Sequence, residues 1–404
     1  MANSILTIDM ITRKALEILE NNLVLSRNVN RQYDDSFAVE GAKIGSTLRI
    51  RLPDRALVTN GAALQVQDDN EQFTTLTVST QKHIGVNFTS AELTMQLDDF
   101  AERVLKPRVS QLAASVDADV ANAYQSIYSS VGTPGTTPAT SLVLLQAQQK
   151  LNEYAVPMDQ RYATVNPAAN AGLVEGMKGF FNPTGTISRQ FKTGMMGEGV
   201  LGYDEVNMSQ SIVQHTTGSR STTDTIVVNG TVTTQGASTI NLSGGTGSAT
   251  IKVGDVFTIA GVFAVNPQTR QTTGSLQQFV CTATNTASSG SWTSVSVSPA
   301  IYTASQALAT VDSFPQNNAA VTFLGAASTS YPQNLIYNKN AITLGTADLL
   351  MPQGVDMASR QVHNGISMRS VRQYDINNDR MPCRIDVLYG YSVIRAPMAV
   401  RMWG

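Results

Sequence analysis

Arg161-Tyr162-Ala163-Thr164-Val165-Asn166-Pro167 decides the reading of this chain. Alternating and β-branched residues make Arg161–Val165 a strand, and Asn166-Pro167 turns it into a helix carrying Leu173, Val174 and Met177. Upstream, Ser129 to Thr140 holds Gly132, Pro134, Gly135 and Pro138 and must be a loop, after which a helix runs from about Ser141 to Glu153. Downstream the composition changes. Between Thr216 and Leu335 the charged residues are Arg220, Asp224, Lys252, Asp255, Arg270 and Asp312, and short alternating runs such as Thr225-Ile226-Val227-Val228 fill the rest. Apart from a short helical stretch at Ala304 to Ala309, this segment reads as a separate small antiparallel barrel or sandwich. More charged stretches on both sides make it an insertion into one host.

Further out, Ile11 to Val24 has the spacing of a short amphipathic helix. Leu48, Ile50 and Leu52 alternate with Arg49 and Arg51 until Pro53, and the two-residue alternation resumes at Leu64 and Val66, Leu76 and Val78, and Ile84, Val86 and Phe88. This is a long β-excursion. Thr89-Ser90-Ala91-Glu92 matches a capping box and should start a long helix with a stripe at Leu93, Leu97, Phe100 and Val104. Pro107 implies a kink or a second helix with proline in its first turn, and Leu112, Val116, Val120, Tyr124 and Ile127 resume the stripe. The chain ends in alternation at Ile385, Val387, Tyr389, Tyr391 and Val393.

Charge excludes more than it suggests. With 28 Lys and Arg against 30 Asp and Glu the net charge is −2, which argues against binding nucleic acid by bulk positive charge. Charged residues are 14% against an expected ~25%, so the polar surface is Ser, Thr, Gly and Asn. Cys281 and Cys383 give neither a disulfide framework nor zinc spacing. The start lacks a basic region followed by an apolar run, and no run approaches the ~18 apolar residues of a membrane span, so a soluble protein made in the cytoplasm is expected.

Candidate chemistry is thin. Gly197-Glu198-Gly199-Val200-Leu201-Gly202 spells a dinucleotide fingerprint but neither follows a strand nor opens a helix, so a glycine-rich turn is expected and a nucleotide-dependent enzyme is a distant reading. Gly244-Gly245-Thr246-Gly247 lacks the Lys-Ser/Thr of a phosphate loop and reads as a flexible hairpin tip. His83, His215 and His363 are scattered, so surface or satisfied core imidazoles are expected. Asp34-Asp35, Asp68-Asp69 and Asp98-Asp99 diverge on adjacent positions and suit solvated faces or contacts between copies. Arg49, Arg51 and Arg55 form a basic cluster, as do Arg360, Arg369 and Arg372. Either is simply solvated or meets Asp68, Asp69 and Glu71 of a second copy. No catalytic residue, metal or cofactor is expected.

In this order the elements resemble the major capsid protein of tailed bacteriophages, the Hong Kong 97-type α+β fold, in the podovirus coat-protein branch with an inserted β-barrel domain. Carrying the resemblance are Arg161–Pro167, then Gly202-Tyr203-Asp204-Glu205-Val206-Asn207-Met208-Ser209, then Gly254-Asp255-Val256-Phe257-Thr258-Ile259-Ala260-Gly261-Val262 as the barrel opening. Asn334 to Leu344 is similar to the family's strand-to-helix return, and Arg384 to Gly390 with Arg395 to Arg401 to its closing strand. The resemblance implies an N-terminal arm (1–34), an extended loop (35–88) and a peripheral domain with a spine helix (89–139 and 383–404). It further implies an axial domain (140–215 and 331–382) and the inserted barrel (216–330). Copies would form hexamers and pentamers of an icosahedral shell, with a scaffolding protein, a portal protein and packaged double-stranded DNA as partners, no membrane, and assembly in the bacterial cytoplasm. Contacts between copies would fall on Leu48, Arg49, Ile50, Arg51, Leu52, Asp68 and Asp69. Some relatives cross-link a loop Lys to an Asn. Lys43 and Lys82 lie in the loop, but no Asn or activating acid matches, so that chemistry is not carried over. Alternatives are a β-rich adhesin or carbohydrate-binding protein, disfavoured by the missing signal peptide, and a bacterial nanocompartment shell of the same fold.

Overall fold

Asn166 shows how a few residues set the local path. Its side-chain oxygen accepts from the Ala169 backbone N–H at 2.9 Å, Pro167 occupies the first helical position, and its own N–H donates to Asn334 Oδ1 at 2.7 Å. The strand Arg161–Val165 therefore ends in the helix Pro167–Gly176, as the sequence predicts. The structure, a computed structural model, describes residues 8–34, 47–53, 55–58, 61–62, 66, 72–88, 101–177, 193–221, 223–377 and 380–404. The capping box at Thr89–Glu92 and the stripe from Leu93 to Phe100 lie outside them.

The chain divides into two compact units, one of Met1–Ile50, Phe73–Val120 and Ile342–Ile394, the other of Arg51–Gln72, Ala121–Ala341 and Arg395–Gly404. In the first, the long strand Met381–Val393 organises a six-stranded sheet. Thr80–Phe88 pairs with it antiparallel, Ile366–Arg372 and Ile342–Ala347 pair with its two halves, Met357–His363 extends one side and Asn30–Asp34 adds in parallel on the other. Alternation in the sequence understates its burial. Ile385, Val387 and Tyr389 are buried as expected, and so are Asp386 and Leu388 on the opposite face, Leu388 against Val78, Ala347 and Leu349. The helix Ile8–Asn22 buries Ile8, Ile11, Ala15, Leu16 and Leu19, the three-and-four spacing of one face, against Met357–His363 and Ile366–Arg372. A π-helical turn, Ala101–Leu105, runs directly into the α-helix Lys106–Ala121, which carries Pro107 in its first turn.

The second unit holds a mixed sheet in the order Ser130–Val131, Ala399–Met402, Asn334–Asn338, Arg161–Val165, Tyr203–Met208, Gly197–Val200. Helices Ser141–Glu153 and Pro167–Gly176 contribute Leu144, Ala147, Leu151 and Leu173 to its core. Asn334 to Leu344 is not a strand-to-helix return. It is two strands, Asn334–Asn338 and Ile342–Ala347, every residue buried, and the Asn338 side chain turns the chain between them by accepting from Asn340 N at 3.0 Å. Ile342–Ala347 and Ile366–Arg372 pair with Met381–Val393 rather than with Arg161–Val165, and Met357–His363 joins the same sheet through Ile366–Arg372.

In the same unit, Val227–Val228, Ala237–Ser243, Ser291–Ile301, Thr272–Cys281, Val256–Val265 and Val321–Phe323 form a six-stranded antiparallel sheet in that order. A bridge between Val227 and Ala320 joins its first strand to its last, around Phe257, Phe279, Trp292 and Val295. The chain reaches this sheet through Gln214–Thr216 and leaves it through Ser330–Pro332, which pair with each other. Ala304 to Ala309 is a run of turns, not a helix. Nor is Gly244–Gly247 a flexible tip. A side chain at Gly245 would meet the Trp292 ring at 2.2 Å, so the absent Cβ lets the backbone lie on the indole.

Candidate assembly surface

The residues expected to bridge copies sit on a two-stranded ribbon, Thr47–Arg51 with Phe73–Thr77. Leu48 and Phe73 are exposed, 43% and 54%, and the Arg49 guanidinium lies 4.8 Å above the Phe73 ring. Ile50 and Leu52 are half-buried, Arg51 is exposed, and Leu52 N–H continues the ribbon to Gln72 O at 2.8 Å. Between the strands Val58 and Val66 are 81% and 84% exposed. Fully burying side chains of this kind is worth ~1.5–3 kcal/mol each, so together they offer apolar surface whose burial by a partner would be favourable. Asp68 and Asp69 lie outside the described residues. Arg55 departs from the expected cluster. It lies past Pro53 and lines a 270 Å³ cleft with Tyr128, Tyr154 and Gln277.

Cross-strand register in the first unit puts Arg360, Arg369, Asp386 and His83 in one row. Asp386, fully buried, accepts from Arg369 Nη2 at 2.7 Å, Arg384 Nε at 2.6 Å and Gln81 Nε2 at 3.2 Å. Arg360 Nε lies 3.1 Å from Asp348, which also accepts from Ser367 Oγ at 2.5 Å. Arg384 and His83 remain exposed, so the face carries the Arg384 cation at its surface. Arg372 is not in that row; it stands opposite Met357, with Nη2 2.9 Å from the Met357 sulfur. On the opposite face of the sheet Lys82 Nζ meets Asp119 at 2.6 Å, and Tyr389 O–H donates to the same carboxylate, while burial and then Asp119 push the phenol up from its ordinary value.

A second polar centre lies beneath the Gln214–Thr216 ladder. Asp255 Oδ1 is 2.8 Å from His215 Nε2, and Oδ2 accepts from Arg220 Nη1 at 2.8 Å, Lys252 N at 3.0 Å and Gly218 N at 3.1 Å. Burial alone would raise this carboxyl. The hydrogen bond from His215, the Arg220 charge and the Lys252 N–H outweigh it and hold the carboxyl below its usual range. An ionised Asp255 can only accept, so His215 Nε2 carries the proton, and in the neutral ring Nδ1 takes the Tyr124 O–H at 3.2 Å. Arg401 donates to Gly254 O at 2.7 Å beside this group, and burial pushes its guanidinium down to about 9. Of the three histidines, His215 is thus a satisfied core imidazole, His83 is exposed, and His363 is exposed and 3.0 Å from Glu20. Burial also pushes the Cys281 and Cys383 thiols up, which leaves both unreactive.

Gly197–Gly202 is a hairpin: Gly197–Val200 pairs antiparallel with Tyr203–Met208, and Leu201 and Gly202, at φ 52° and 78°, make its two-residue turn. No helix follows, so the fingerprint binds no pyrophosphate in the Rossmann manner. Among the described residues no His, Cys, Asp or Glu cluster could hold a metal ion, and no helix is long and apolar enough to cross a membrane. Sequence reasoning missed Asp117, 2% exposed, whose carboxylate accepts from Val24 N at 2.7 Å, Ser26 N at 2.9 Å and Ser26 Oγ at 2.5 Å.

The family model for the P22 coat protein, gene protein 5, matches residues 1–404. The chain belongs to the P22 coat protein family. This coat protein is a structural protein of the bacteriophage virion, the major capsid protein of its icosahedral shell, and its family is not one of enzymes. That match favours the shell over the adhesin and nanocompartment readings. Solved structures similar to the coat protein include one from Mycobacterium phage Che8, 11% identical, covering 94% of this chain and 90% of that one at a TM-score of 0.46. A capsid structure of the cyanophage P-SCSP1u is 11% identical over 93% of this chain and 86% of that one, TM-score 0.43. The CUS-3 coat protein I-domain is 29% identical over 26% of this chain and all of that one, TM-score 0.20. No curated protein matches the coat protein.

Proposed function

We propose that the coat protein closes its shell as hexamers and pentamers around packaged double-stranded DNA, in the Hong Kong 97-type arrangement with residues 216–330 as an inserted β-barrel domain. The observation that carries this reading is the ribbon with its exposed Leu48, Phe73, Val58 and Val66, apolar surface that a second copy would cover. The ribbon belongs to the extended loop, 35–88, and lies across the cationic face of the next copy. There the acidic stretch Asp68, Asp69 and Glu71 meets Arg360, Arg369 and Arg384. A heterologous contact of this kind propagates around a ring and closes it. Residues 1–34 act as an arm. A scaffolding protein and a portal protein take part during assembly in the bacterial cytoplasm, and the DNA is held without sequence specificity.

Leu48→Asp with Phe73→Asp, purified beside the wild-type chain, tests the reading by electron microscopy. The wild-type chain should form closed particles with scaffold. The variant, with unchanged circular dichroism, should stay as free subunits. Normal particles from the variant would remove the ribbon from the assembly contact.

A further inference from the structure

Met357–His363 pairs along its whole inner side with Ile366–Arg372, seven residue pairs without a register break, and it ends the strand order of its sheet. Among the described residues its outer side makes no backbone hydrogen bond and no bridge. Exposed edges of this kind are normally blunted by proline, lysine, a bulge or a covering element, and Met-Ala-Ser-Arg-Gln-Val-His has no proline, lysine or bulge. The strand is held rigidly in place. His363 is tied to Glu20 at 3.0 Å and Arg360 to Asp348 at 3.1 Å, while Met357 and Val362 near its two ends are 44% and 42% exposed. Ser359, third in the strand, is 3% exposed and its hydroxyl has no hydrogen-bond partner.

We propose that this edge is an isologous contact, in which Met357–His363 pairs antiparallel with the same strand of a second copy across a two-fold axis. The inference rests on the chain closing into a shell, where copies meet across two-fold axes. An axis perpendicular to the sheet keeps faces matched, so some residue must oppose itself. Placing Arg360 there sets two guanidinium groups against each other, and placing Gln361 there pairs five residues, as Ser359 does, but sets each Ser359 opposite His363, whose ring is already tied to Glu20. With Ser359 on the axis, Ala358 of one copy stands opposite Arg360 of the other, and Met357 opposite Gln361. The two partnerless Ser359 hydroxyls then come within cross-strand reach, with Cβ atoms about 4.5–5.5 Å apart, and one donates to the other.

Cysteine cross-linking in assembled particles tests it. Ser359→Cys, and independently Met357→Cys with Gln361→Cys, should give covalent dimers on a non-reducing gel after mild oxidation. The wild-type chain, whose Cys281 and Cys383 are buried, should not. Particles that form by microscopy but stay monomeric in both variants would overturn the contact, and a dimer from Arg360→Cys but not from Ser359→Cys would overturn the register. Failure of the wild-type chain to form particles would instead sink the shell reading, so the two failures are distinct.

Discussion

Replacing Asp255 by Asn should unlatch the base of the six-stranded segment. The carboxylate collects four donors, three of them on Oδ2. An Asn would keep its oxygen at the Oδ2 position for Arg220, Gly218 and Lys252 and turn its NH₂ toward His215. His215 can answer by moving its proton to Nδ1 and donating to the Tyr124 oxygen, so the hydrogen-bond count survives. What is lost is the charge opposite Arg220, whose side chain is 5% exposed against 1% for Asp255. Breaking a buried pair by removing one partner costs about 3–5 kcal/mol, and the retained hydrogen bonds put this variant at the lower end. Both tryptophans, Trp292 and Trp403, are buried in this unit, so their fluorescence reports its unfolding. With a urea slope of about 1–3 kcal/mol/M, the midpoint of the unassembled chain should fall by roughly 1–3 M. Removing the cation too, in Asp255→Asn with Arg220→Met, should recover part of the loss. A single-variant midpoint equivalent to less than about 0.5 kcal/mol would refute a charged latch at this position.

Two further outcomes follow from buried carboxylates. Because the Asp255 carboxyl is held below its ordinary value, its contribution is present above the unfolded pKa of about 3.9 and disappears as pH falls through the lower folded value. The stability difference between wild type and Asp255→Asn should therefore be constant near neutrality and shrink only below about pH 4; a difference that shrank between pH 8 and 6 would assign the effect elsewhere. Asp117→Ala removes the acceptor of Val24 N, Ser26 N and Ser26 Oγ, and with buried donors left unpaired at ~1–3 kcal/mol each it should speed hydrogen exchange at Val24–Ser26 while leaving Trp292 fluorescence unmoved.

What the sequence reveals and what it hides divide along a physical line. Helix Ser141–Glu153, strand Arg161–Val165 and the Asn166-Pro167 turn are written in local chemistry, a period and a cap, and the chain folds there as it reads. The ribbon at Thr47–Arg51 is legible for the same reason, since exposed alternation needs no tertiary knowledge. Asn334 to Leu344 misleads because a short apolar run buried on both faces carries no period to tell strand from helix. The turn at Gly244–Gly247 misleads because Gly245 answers to Trp292, more than forty positions away in sequence. Asp117, Asp255 and Asp386 are invisible for a related reason. An aspartate on a surface and an aspartate gathering buried N–H groups look identical until the donors are folded around it.

Those aspartates also explain how a sparsely charged chain can serve as a shell subunit. Shell closure asks each copy to hold its shape while making many modest contacts, because an interface of ordinary size yields only the surplus of burial over the entropy of association. Charge placed inside, on Asp117, Asp255 and Asp386, fixes segments distant in sequence without adding to repulsion between copies. Among the described residues most other charged side chains stay outside the core, beside Ser, Thr and apolar residues such as Leu48 and Val66. A chain with the same charges moved outward would gain salt-sensitive contacts and lose the internal latches. Its loops would then spend part of each contact's free energy on ordering themselves. Rigidity inside the subunit is what allows weak surfaces to add up to a closed container.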